Sequence, residues 1–216
     1  VLRALIMEAP DRATFVSYFK VENSAKALKI IEEAYKDHPE LKVFREVYKV
    51  SFLALYTYYV DNMKPNKDGS PHFGWLGEEK HYAYIRAMYQ NGRIAILKGN
   101  MLADKTMKGV AESAKKLGVP IRIYYPSNAP ECWPHTKQYK DNVRGLPFDD
   151  QGIVLQTVSG MKSGYGQVGH WQYNVQSGKQ MQALEAYEGY QLSRQVLFHR
   201  VRTNNPELTV TGLPSN

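Results

Sequence analysis

Cysteine is almost absent from this chain: Cys132 stands alone among 216 residues. One thiol excludes an intramolecular disulfide framework and any cysteine-rich zinc site. Its neighbour Glu131, with no basic residue close before it, also argues against a low-pKa thiolate nucleophile. Long hydrophobic runs are missing too. The most apolar stretch, residues 50–60 between Lys49 and Asp61, falls short of the ~20 residues a membrane span needs. The net charge is +7, yet no block of five or six basic residues occurs, so no nucleic-acid motif is visible. The lysines read as solvated faces, with a broad acidic partner as the alternative. The N-terminus lacks a basic n-region and a cleavage-site pattern. The chain starts at Val1 without methionine, and residues 1–6 read as a helix in progress, so the polypeptide is expected to begin upstream. The compartment stays open, with cytoplasm slightly favoured. There is no H-x-x-x-H, G-x-S-x-G or Walker A sequence.

A chain of this length buries roughly 70% of its unfolded surface and needs no metal or disulfide to fold. Residues 1–64 read as a helical cap. A break at Ala9-Pro10-Asp11 separates two helices, Ser24 is expected to cap a third, and Phe44, Val47, Tyr48, Ser51, Leu55 and Tyr59 form a fourth stripe. Those tyrosines read as packing groups. Residues 65–75 form a Pro- and Gly-broken linker. A helix carrying Tyr82, Ile85 and Met88 follows and stops at Asn91-Gly92.

Residues 76–203 read as a sheet core. Arg93-Ile94-Ala95-Ile96-Leu97 has the length and β-branching of a buried strand. Met107, Val110, Ala111, Ala114 and Leu117 then repeat at helical spacing, Gly118 stops that helix, and Ile121-Arg122-Ile123-Tyr124-Tyr125 is a second strand. Strand, helix, strand predicts a right-handed parallel crossover. Residues 153–158, 169–175 and 195–202 are expected as strands, with a helix at 179–192 and a loose tail over 204–216. The fold class is therefore α/β: Rossmann-like, three-layered, with a predominantly parallel sheet and antiparallel strands at its C-terminal edge.

Ligands of open parallel sheets bind beyond the carboxyl ends of the strands. That rule selects Gly99, Asn100 and Met101 after the first strand, Ser127 and Asn128 after the second, and residues 142–150 with Asp149. Gly99 permits close backbone approach and the asparagines suit a ribose or base edge, although the same residues also build ordinary turns. Gly164-Tyr165-Gly166-Gln167-Val168-Gly169 matches G-x-G-x-x-G, but it leads into a strand and so reads as a hairpin loop, not a phosphate cradle. Of six scattered histidines, His135 sits between two of the selected loops. Asp149-Asp150 could serve a metal or act as a base, but also fits a turn.

Four segments in order carry a resemblance: Phe73-Gly74-Trp75-Leu76-Gly77-Glu78-Glu79, Asn91 through Asn100, Tyr124-Tyr125-Pro126-Ser127-Asn128-Ala129, and Asn142-Val143-Arg144-Gly145-Leu146-Pro147-Phe148-Asp149. Together they resemble an uncharacterised bacterial family with a fold like class I S-adenosylmethionine-dependent methyltransferases. The resemblance implies that the glycine-rich first strand and the acidic end of the second lie upstream of Val1, or on a second chain completing the fold. It implies that Gly99, Asn100 and Met101 line the adenosine, with Asn100 where the family often has Asp. It places Ser127 and Asn128 near the transferred methyl; apart from the resemblance, His135 or Asp149 is the candidate base if the protein is catalytic. The expected function is a methyltransferase-like protein binding S-adenosylmethionine or a related nucleoside. The alternatives are a catalytically inactive binding or assembly module presenting an exposed tyrosine surface, and a metal-dependent hydrolase using Asp149 and Asp150.

Overall fold

Capping groups and apolar stripes build the first ninety residues into helices. In the computed structural model, which describes residues 1–159, 171–205 and 207–212, the chain divides into two compact units, Val1–Leu97 and Lys98–Asn216. The first unit contains α1 (Leu2–Glu8), α2 (Arg12–Ser17), α3 (Ser24–Ala34), α4 (Leu41–Met63) and α5 (Glu79–Gln90). Asp11 caps α2 by accepting from the Thr14 amide at 2.7 Å, and that bond holds its carboxyl below the usual carboxylate range. Ser24 does not cap α3. A single 3₁₀ turn, Val21–Asn23, precedes the helix, and the Ser24 hydroxyl donates instead to the Val21 carbonyl.

The aromatic stripe of α4 is core. Tyr48 and Tyr59 are buried, with Phe15, Phe19, Ile31, Leu76 and Tyr82 around them. Tyr48 donates to the Tyr18 carbonyl, and Tyr82 donates to the carbonyls of Ile6 and Ala9 at 3.1 and 3.0 Å. Burial without a counter-charge pushes the Tyr48 and Tyr59 hydroxyls up to about 12. The linker between α4 and α5 carries no helix or strand. It is clamped by the Arg12 guanidinium, which donates to the Leu76 and Gly77 carbonyls at 2.6 Å each. A Cβ on Gly77 would lie 1.8 Å from the His72 carbonyl oxygen, so only glycine fits that turn.

The second unit holds α6 (Thr106–Leu117), β1 (Ile121–Ser127), α7 (Lys137–Arg144), β2 (Phe148–Ser159), β3 (Trp171–Ser177), α8 (Gly178–Ala186), β4 (Val201–Arg202) and β5 (Leu208–Thr211). The five strands lie in the order β1-β2-β3-β5-β4. The β1–β2 and β3–β5 pairs are parallel, and the β2–β3 and β4–β5 pairs are antiparallel. The protein is thus α/β with a mixed sheet, and half of its strand pairings are antiparallel.

Four sequence expectations need correction. Residues 93–97 form no strand. A strand exists only through a partner's hydrogen bonds, and Ile96 and Leu97 are 77% and 73% exposed. The parallel crossover unit is therefore β1-α7-β2, one step later than the β-branched run suggested. Residues 195–202 are mostly a 3₁₀ helix, Ser193–His199, which buries Val196 and Leu197; only Val201–Arg202 is strand. The expected loose tail contributes β5, an inner strand. Its Thr209 and Thr211 hydroxyls accept from Asn174 Nδ2 at 3.1 and 2.9 Å, which gives a polar strand a reason to sit inside. The helix expected to reach residue 192 ends at Ala186. The G-x-G-x-x-G segment lies outside the described residues. Among the described residues no helix is long and apolar enough to cross a membrane.

One face of this sheet meets α7, α8 and the 3₁₀ helix through Tyr124, Val154, Val158, Tyr139, Met181, Leu184 and Tyr190. The same face buries a row of polar side chains: Gln156, Gln172, Asn174, Gln176, Thr209 and Thr211. Such a row is costly unless its hydrogen bonds are made. Gln176 Nε2 donates to Gln156 Oε1 at 2.9 Å. The other face is less buried, with Ile123 and Tyr125 exposed on β1.

Candidate functional site

The carboxyl end of β1 is where backbone and side chains depart most from the bland. Ser127 closes the strand with φ of 55°, and it is the one non-glycine residue with positive φ among those described. A residue with a Cβ pays roughly 1–2 kcal/mol for this conformation, which persists only when the surroundings impose it. Asn128 follows and opens a short 3₁₀ turn, Ala129–Cys132. The Ser127 hydroxyl donates to Asn128 Oδ1 at 3.3 Å. The turn is pinned to β2 by Glu131, whose Oε2 accepts from the Ser159 amide at 2.9 Å. Two residue types singled out from sequence thus meet at one strand end.

His135 lies just beyond this turn, and its backbone amide donates to the Gln191 carbonyl at 2.8 Å. Its ring is fully buried. Nδ1 faces the Glu185 carboxylate, 2.9 Å from Oε1 and 3.1 Å from Oε2, with Oε2 in line for the hydrogen bond. Nε2 lies 3.0 Å from the Ser193 hydroxyl oxygen. A carboxylate on Nδ1 fixes the proton there, which leaves Nε2 to accept from Ser193. The rings of Tyr139 and Tyr190 stand edge-on to the imidazole at 4.8 and 5.0 Å. Burial, assisted by the Glu185 charge, raises both phenols well above their ordinary range, and burial pushes Tyr124 up to about 12. These hydroxyls stay protonated beside the carboxylate. Glu185 and Ser193 were not singled out in the sequence. They lie 50 and 58 positions from His135, and no spacing rule joins them.

The remaining sequence-selected residues sit elsewhere. Gly99 is occupied from one side: a Cβ there would stand 2.2 Å from the Thr106 methyl. The Asn100 amide donates to Thr106 Oγ1 at 3.2 Å, and Asn100 Oδ1 accepts from the Leu102 amide at 2.9 Å. Met101 offers its carbonyl to Asn142 Nδ2 at 2.9 Å, so the loop is tied to α7 and not to the end of β1. Asp149 lies at the opening of β2, which pairs with the opening of β1 and is the opposite end of the parallel pair from Ser127. Its carboxylate accepts from the Gln151 amide and pairs with Arg122 at 3.0 Å. Asp150 pairs with Lys179. Both carboxylates already hold cations, and no cluster of three metal-ligating side chains occurs among the described residues. Asp149 and His135 are therefore not two choices of base for one site. The tyrosine surface of the assembly reading is absent as well: Tyr48 and Tyr59 are buried and Tyr56 is half-buried.

The family model described as "Domain of unknown function (DUF7790)" matches residues 1–213. No curated protein matches the chain.

Proposed function

The chain belongs to the DUF7790 family, and for it we propose a methyltransferase-like role: binding S-adenosylmethionine or a related nucleoside at the carboxyl end of β1. The observation that carries this reading is the left-handed Ser127, held at the end of a parallel strand that feeds a crossover helix. Strand ends of this kind are where α/β sheets take their ligands, and strained residues gather at such sites. Ser127 and Asn128 offer a hydroxyl and an amide for a ribose or an acceptor group. On this reading the mixed sheet is a Rossmann-like core in which β1-α7-β2 is the crossover unit of one of its two parallel pairs. The Asn100 and Met101 loop, tied to α7 through Asn142, takes no part in this site. When bound, the cofactor supplies an electrophilic methyl group. The protein contributes by orienting an acceptor beside it and excluding water.

Isothermal titration of the purified protein with S-adenosylmethionine and with S-adenosylhomocysteine tests the reading. One-site binding that weakens at least about tenfold in Asn128→Ala supports it, since a lost charge-neutral hydrogen bond in a binding site is worth about 1.5 kcal/mol. No heat with either nucleoside, in a protein whose circular dichroism shows it folded, refutes it.

A further inference from the structure

The line Ser193–His135–Glu185 uses none of the residues assigned to the nucleoside. We infer that it is a nucleophilic relay for acyl transfer, with Ser193 as nucleophile, His135 as its base and Glu185 as the positioning carboxylate. Such constellations are recognised by geometry and roles, not by chain order. The geometry here meets each requirement in turn. The hydroxyl is 3.0 Å from Nε2, and Nδ1 is 2.9–3.1 Å from the carboxylate. The carboxylate is fully buried and its charged or hydrogen-bonding contact is the His135 imidazole, with the Tyr124, Tyr139 and Tyr190 phenols around it, a costly arrangement for packing alone. The tautomer this imposes is the one that lets Nε2 take a proton from Ser193.

The relay is walled by aromatic rings: Tyr139 and Tyr190 pack on His135, and Trp133 packs on Tyr139. Ser193 is 3% exposed, and its chain neighbours Leu192 and Arg194 are exposed.

The chemistry balances without any other reagent. Ser193 Oγ bonds to the ester carbonyl carbon while its proton passes to His135 Nε2. The carbon–oxygen bond to the alcohol breaks, and the departing oxygen takes that proton. Water then attacks the acyl-serine and gives a proton to His135. The carboxylic acid leaves and the Ser193 hydroxyl takes the proton back.

The test is labelling of the full chain with a small alkyl fluorophosphonate, followed by intact mass and peptide mapping. The relay predicts one adduct per chain, on Ser193, with loss of fluoride. Ser193→Ala, which deletes one hydroxyl, should abolish the adduct while the far-ultraviolet circular dichroism stays unchanged. Glu185→Gln should slow labelling on the order of 10³-fold and move its pH profile, which a merely structural carboxylate would not do. Short-chain p-nitrophenyl esters should turn over in the wild type and not in Ser193→Ala. A folded wild-type protein that takes no label, or takes it only on another serine, overturns the proposal.

Discussion

Ser127 adopts a backbone that suits glycine, and the consequence can be measured. Ser127→Gly relieves the left-handed strain but adds unfolded-state entropy, two terms of about 1 kcal/mol with opposite sign. Its unfolding free energy should therefore change by less than about 1 kcal/mol, while nucleoside affinity drops with the lost hydroxyl; urea denaturation beside titration calorimetry separates the two. The buried tyrosines give a sharper contrast. Tyr82 donates to two main-chain carbonyls, whereas the Tyr139 hydroxyl lacks a partner with hydrogen-bond geometry. Tyr82→Phe should cost about 1 kcal/mol in urea denaturation, and Tyr139→Phe should be neutral or stabilising. At this scale the sequence was partly readable. That Ser127 and Asn128 stand at the end of a strand was legible, because the β-branched run of β1 marks it. Glu185 and Ser193 were not, since their relation to His135 arises only when α8 and the 3₁₀ helix close over the sheet.

At the scale of elements, local pattern succeeded where an element is stabilised by its own residues. Asp11 caps α2, Gly118 ends α6 in the left-handed region, and Tyr48 and Tyr59 of the α4 stripe are buried, although its Val47 is exposed. It failed where stability comes from a distant partner. The run at 93–97 has β-branched residues but no paired neighbour. The polar Leu208–Thr211 segment is an inner strand because Asn174 needs its threonines. Replacing both Thr209 and Thr211 by valine should leave the Asn174 amide without acceptors and cost about 1–3 kcal/mol. Thermal unfolding monitored by the fluorescence of Trp171 on β3 and of Trp133 beside the sheet checks this, and an unchanged midpoint would show β5 to be peripheral. The helices carry a pH signature. Tyr48 and Tyr59 are held at about 12, above the ordinary phenol value of 10.0. A raised folded-state value means their stabilisation is complete below pH 10 and is lost as pH rises from 10 through 12. Absorbance at the phenolate band should show these two titrating after the exposed tyrosines, with helix loss accompanying them.

For the whole molecule, two units with separate cores leave the ligand question to the second, where a parallel strand pair ends in Ser127 and Asn128. The α/β class was legible from alternating apolar periods. The mixed pairing was not, because strand order depends on which edges find each other and not on any one strand's composition. The most direct test of the nucleoside reading is an amide-resolved NMR titration of the full chain with S-adenosylhomocysteine. The account predicts saturable shifts at Ser127, Asn128 and the Ala129–Cys132 turn, with the Asp149 end of β2 unmoved. Unchanged spectra at saturating nucleoside, or shifts confined to the Asp149 end, would contradict it.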